Sequence, residues 1–146
     1  MMFKVPREPS SPRIAIWRRL KALGVAQVAD GVVALPADAR TREQLEWVAQ
    51  QVAEAGGEST LWLGRMSSAR HERALAARMA QSVAEAYRAV ITEAESAVGE
   101  PASARTIGRL RRELHRISAR DFFPPPERDE ARARVEALAN PMAVAR

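Results

Sequence analysis

Five arginines, Arg105, Arg109, Arg112, Arg116 and Arg120, follow one another at spacings of four, three, four and four. At about 100° per residue they fall within roughly an 80° arc of one helix. Ile107, Leu110, Leu114 and Ile117 fall on the opposite side. Residues 105–120 hold six Arg against the single Glu113, a surplus of +5 that equals the net charge of the whole chain. A stripe roughly 22 Å long can follow a row of phosphates through bidentate guanidinium contacts, which is the chemistry of nucleic-acid binding. The same pattern also fits a solvated face whose arginines pair with acidic residues such as Glu85, Glu93 or Glu130.

A second cationic group, Arg13, Arg18 and Arg19, lies on or near the first helix. A helix N-terminus with Arg beside it suits an oxyanion, so Arg13 and Arg18 are candidate oxyanion ligands. Pro12 removes one backbone donor there. Arg18 reads equally as a structural Arg that pairs with a carboxylate. Trp47 is misplaced for its helix: it sits among Glu43, Gln44, Gln50 and Gln51, off the apolar stripe of Leu45, Val48, Ala49 and Val52. Either the C-terminal helices or a second subunit is expected to cover it, which makes it a candidate interface residue.

Other chemistry is largely excluded. The 146 residues contain no Cys, so disulfides, Cys-based zinc sites and thiol catalysis are ruled out. The two His residues, His71 and His115, lack metal-type spacing and read as surface or packing residues. No Ser-His-Asp set or phosphate-binding Gly loop is readable. No metal site and no cofactor are expected. The sequence pI is about 10.8, and the basic residues are nearly all Arg, which GC-rich coding would also produce; an anionic partner is the other explanation. No apolar run approaches the roughly 18 residues of a membrane span, and the N-terminus has no signal-peptide core, so a cytoplasmic protein without a membrane partner is expected.

The elements that must position these residues come in two parts. Residues 3–5 form a short apolar run ended by Pro6 and Pro9. Ser10 or Ser11 is placed to cap a helix carrying Ile14, Ile16, Trp17, Leu20 and Leu23, with Gly24 as its stop. Residues 25–28 and 32–35 are β-type runs joined by Asp30-Gly31, a hairpin signal. Thr41 and Gln44 have capping-box spacing before the next helix, Gly56-Gly57 ends it, and residues 59–63 read as a strand. The order β-α-β-β-α-β predicts a ferredoxin-like α+β domain over residues 1–66, with both helices on one face. Beyond it only helical periodicity remains. Leu75, Met79, Val83, Tyr87, Val90 and Ala94 mark a long helix broken at Gly99 and Pro101, with Tyr87 in the core. The arginine-striped helix follows, and Ala131, Val135 and Leu138 mark a third that ends near Asn140-Pro141. This gives a helical extension over residues 67–142 and a tail over 143–146.

Several stretches carry a family resemblance. Pro6-Arg7-Glu8-Pro9-Ser10, Arg13, Trp17-Arg18-Arg19-Leu20-Lys21, Gly24, Asp30-Gly31-Val32 and Leu35-Pro36 resemble the opening of bacterial ChrB chromate-resistance proteins. Leu45-Glu46-Trp47, Gly56-Gly57-Glu58, Leu110-Arg111-Arg112 and Asp121-Phe122-Phe123-Pro124 extend the likeness over nearly the whole chain. The first block is also similar to the middle domain of PaaX-type repressors, which shares its fold with the small CRISPR integration-scaffold proteins.

The resemblance implies a chromate-responsive transcriptional regulator that binds promoter DNA or a regulatory partner, with chromate, a dianion, as the expected oxyanion at Arg13 and Arg18. Full-length family members carry a second, C-terminal domain. A separate regulatory chain is therefore an expected partner; a homodimer is expected because a four-stranded sheet of this type leaves one face without helices and short edge strands can pair across a two-fold axis, and the short first strand predicts a start further upstream. In the CRISPR-like relatives an Asp at the end of the first strand is the expected metal ligand. The corresponding stretch here, Lys4-Val5-Pro6-Arg7, has no carboxylate, so an enzyme is not expected. A vestigial nuclease-like fold and a helical dimerisation module without nucleic-acid binding are the competing readings.

Overall fold

The computed structural model describes residues 1–97 and 103–140. In chain order it contains β1 (Met2–Lys4), α1 (Ser10–Leu23), β2 (Ala26–Ala29), β3 (Val32–Ala34), α2 (Ala39–Glu54), β4 (Glu58–Thr60), α3 (Ala69–Ser96), α4 (Ala104–Ser118) and α5 (Glu127–Ala139). The architecture is mixed α and β, mostly helical. Two compact units result, Met1–Leu75 and the part from Ala76 onward. The helix break assigned to Gly99 and Pro101, the stop at Pro141 and the tail over 143–146 lie outside the described residues.

In the first unit the four strands form one antiparallel sheet in the order β2-β3-β1-β4. Alternation along the strands assigns the faces. Phe3 and Val33 turn to the side where Ile16 and Leu20 of α1 meet Leu45, Val48 and Val52 of α2. Met2 and Lys4 turn to the other side. Gly31, at φ 68°, makes the reversal from β2 to β3, a backbone conformation that glycine adopts without strain. Gly24, at φ 77°, ends α1 and returns its N–H to Leu20 and Lys21.

Three local expectations are corrected. Neither Ser10 nor Ser11 caps α1. The N-cap is Pro9, which has no side-chain acceptor, and both serines lie inside the first turn. Thr41 and Gln44 do not cap α2 either. Asp38 is its N-cap, and Thr41 is the third helical residue of the capping box: the Thr41 N–H donates to Asp38 Oδ1 at 2.8 Å, and the Asp38 N–H donates to Thr41 Oγ1 at 3.2 Å. The last strand is shorter than residues 59–63. Its ladder ends at the pair Met2↔Thr60, and Trp62 and Leu63 leave the sheet 72% and 86% exposed.

The second unit is a three-helix cluster. Val83, Tyr87, Val90, Ile91 and Ala94 of α3 pack with Leu110 and Ile117 of α4 and with Ala131 and Val135 of α5. This is the stripe of apolar residues at intervals of three and four that the sequence carries, and burying it is what holds short helices together in water. His71 and His115 are exposed, and Tyr87 is fully buried.

Candidate anion-binding surfaces

Docking of α4 through Leu110 and Ile117 turns Arg105, Arg109, Arg112 and Arg116 outward, all of them exposed. Arg120 is not on this stripe. The helix closes at Ser118 with Ala119 as its C-cap, and Arg120 lies half-buried in the following turn.

The remaining arginines differ in what they touch. The Arg109 guanidinium donates to Glu93 of α3, and this contact holds the Glu93 carboxyl below its usual range. Arg116 pairs with Glu113 at 3.0 Å, one turn earlier on its own helix. Arg111, outside the stripe, makes a two-pronged contact with Glu136 of α5, with distances of 3.0 and 3.1 Å to the two carboxylate oxygens. Among the described residues no carboxylate stands within 4.0 Å of Arg105 or Arg112. Seven residues separate these two, which places them about 20° apart on one face and roughly 10 Å apart along the axis. The stripe is therefore part solvated ion-pair surface and part free cation.

A different geometry surrounds α1. Arg13 and Arg18 line one open depression of about 410 Å³ together with Ile14, Trp17 and Lys21. Arg18 also borders a second depression between α1 and α2, with Arg19, Gln51 and Glu54 among its walls. Sequence reasoning had singled out two of the five residues around the first depression. Trp17 and Lys21 complete it from one turn beyond Arg13 and Arg18, a spacing the sequence itself carries. The helix N-terminus is not what brings the two arginines together, since Pro9 and Pro12 leave it poor in donors. Arg13 and Arg18 border the same depression from positions five residues apart on α1. Arg13, Arg18, Arg19 and Lys21 are the only charged residues of α1, and among the described residues none of them forms an ion pair within 4.0 Å.

Trp47 is 56% exposed on the outer side of α2. Asp30 is exposed in the turn before β3, at the Gly31 reversal. Among the described residues no three His, Asp or Glu side chains come together as a metal site, and no helix is long and apolar enough to cross a membrane.

A family model described as Protein ChrB, N-terminal, matches residues 13–100. That span begins inside α1 at Arg13 and runs through β2, β3, α2, β4 and α3; β1 lies before it, and α4 and α5 after it. No match was found among curated proteins or solved structures.

Proposed function

The chain belongs to the family of ChrB N-terminal domains, which is associated with chromate resistance, and from that premise we propose that it is a regulatory binding module of the chromate response, not an enzyme, and that it binds promoter DNA. The observation that carries the DNA reading is the pair Arg105 and Arg112, outward on one face of α4 with no carboxylate within 4.0 Å among the described residues. Arg109 and Arg116 flank them in exposed ion pairs. Such pairs contribute only about 0–1 kcal/mol each, so a phosphate can displace the carboxylate at little cost. Chromate, as a dianion, is the small ligand of this reading, at Arg13 and Arg18. The fold that accompanies it is ferredoxin-like, which the order of elements and the strand order β2-β3-β1-β4 support.

The test is fluorescence anisotropy on promoter DNA across a salt series. Each phosphate contact adds about 0.9 to the slope of log affinity against log salt. Changing Arg105 and Arg112 together to Gln is expected to reduce that slope by about two. Equal binding of wild type and double variant at every salt concentration removes the DNA reading for α4.

A second reading, an interaction module that pairs with another chain, is favoured by the apolar side chains left in water. Trp47, Trp62 and Leu63 all lie in the first unit and all are more than half exposed. Exposed large apolar groups of this kind mark protein contacts. Self-association into a homodimer belongs to this reading, because the sheet face carrying Met2 has no helix of the first unit on it.

A further inference from the structure

The depression on α1 carries apolar as well as cationic side chains, more than a tetrahedral oxyanion alone requires. All five of its lining residues come from this one helix, so it is an open surface and not an enclosed cavity. Two of its five lining residues are apolar. Trp17 is fixed from behind by Phe3, whose ring meets it edge-on with centroids 5.3 Å apart and planes at 61°. One part of the indole thus belongs to the core and the rest to the wall of the depression. Ile14 stands beside it, 52% exposed, on a helix whose core residues are Ile16 and Leu20. Core packing does not account for Ile14.

The cations are arranged around this apolar floor. Arg13, Trp17 and Lys21 form one row at intervals of four residues, and Ile14 and Arg18 form the neighbouring row. Three positive side chains therefore surround an indole and a branched aliphatic side chain. None of the three is claimed by a carboxylate among the described residues. Glu54 borders the other depression.

We propose that this depression binds a nucleobase–phosphate unit, with the base against Trp17 and Ile14 and the phosphate held by Arg13, Arg18 and Lys21. The proposal rests on the reading that Arg13 and Arg18 take an oxyanion, and it names the larger ligand to which that oxyanion belongs. Aromatic side chains inside a cationic surface are how proteins hold unpaired bases without sequence preference. A duplex keeps its bases stacked inside and offers α1 only phosphates, so the fit is to a free nucleotide or to single-stranded nucleic acid.

The experiment titrates the full chain with a short oligothymidylate, with a nucleoside monophosphate, with inorganic phosphate and with an acidic peptide of equal charge. Ionic strength is held constant, and tryptophan fluorescence and anisotropy are followed. The oligonucleotide is expected to quench tryptophan fluorescence and to bind at least about fivefold tighter than inorganic phosphate, the lower end of what stacking one base contributes. Monophosphate binding as tightly as the oligonucleotide identifies a free nucleotide as the ligand; much weaker monophosphate binding identifies a strand. Arg13→Gln with Lys21→Gln is expected to lower affinity about tenfold. Trp17→Leu disturbs the contact with Phe3, so the decisive apolar variant is Ile14→Asp at an exposed position, expected to abolish binding with the circular dichroism spectrum unchanged. If inorganic phosphate binds as tightly as the oligonucleotide, the base site is wrong and the oxyanion reading stands. If the acidic peptide competes equally, or Ile14→Asp binds like wild type, the proposal is likewise overturned. If no anion binds, both readings of α1 fail, and the α4 measurement on duplex DNA is untouched.

Discussion

The Tyr87 hydroxyl donates to Asp121 Oδ2 at 3.0 Å, joining residues 34 positions apart. Tyr87 lies in the C-terminal half of α3 and is fully buried. Asp121 follows α4 in the turn before Phe122-Phe123. Its second oxygen, Oδ1, is buried with no hydrogen-bond partner among the described residues. Burial and the neighbouring carboxylate push the phenol up to about 12 from its usual value of 10. A group whose folded pKa is raised contributes stability that is complete below the unfolded pKa and is lost as pH rises through the folded one. The helical unit is therefore expected to keep this contribution up to about pH 10 and lose it between pH 10 and about 12. Tyr87 is the only tyrosine, so phenolate absorbance reads it alone. A midpoint near 10 in the folded protein contradicts the contact. Tyr87→Phe strips Asp121 of its partner and is expected to cost about 1–3 kcal/mol in denaturant unfolding.

Thr41 tests the entry into α2. Its hydroxyl donates to the Pro36 carbonyl at 2.5 Å and accepts from the Asp38 N–H, and the residue is 2% exposed. Thr41→Val keeps the shape and removes both interactions. The expected loss is about 1–2 kcal/mol, the cost of leaving a buried polar partner unsatisfied. An unchanged unfolding midpoint indicates that the cap does not need the hydroxyl.

Much of this local structure was legible in the sequence, and the misreadings share a cause. Gly24 and Gly31 were readable because positive φ is nearly exclusive to glycine outside strained sites. The capping box was misplaced by three residues because Thr41-Gln44 and Asp38-Thr41 both satisfy the spacing; the choice depends on where Pro36 lets the helix begin. For Arg109 the sequence offered Glu85, Glu93 and Glu130 as partners, and only the packing of α4 against α3 selects Glu93. Arg120 fitted the periodicity of a helix that had already ended. The depression on α1 was half visible: Arg13 and Arg18 stood out by charge, whereas Trp17 and Ile14 looked like core, and only the exposure of Ile14 shows otherwise.

Assembly is expected to be dimeric. Sedimentation of the full chain at tens of micromolar should give twice the monomer mass, with Trp47→Ala shifting the equilibrium toward monomer if that side chain lies in the interface. A single monomeric species across that range removes the dimer.

No cleavage of DNA or RNA is expected with magnesium or manganese. The end of β1 presents Lys4, and metal-assisted phosphodiester hydrolysis normally needs carboxylates gathered on the ion. Asp30 lies in the turn between β2 and β3, where backbone geometry alone accounts for an Asp-Gly pair. Cleavage by wild type that disappears in Asp30→Ala would falsify the reading as a binding module.

The two borders of the sheet are not equivalent. β2, at one border, carries an irregularity in its register with β3 between Gln27 and Ala29, and such irregularities make a strand a poor template for further pairing. β4, at the other border, pairs in regular register with β1. A sheet with two good borders can add copies without limit. One with a single good border can only meet the same border of another copy, and that meeting leaves nothing further to extend. Should strands pair between copies, the regular border at β4 is therefore the one expected to take part, and such a meeting closes on itself as a pair.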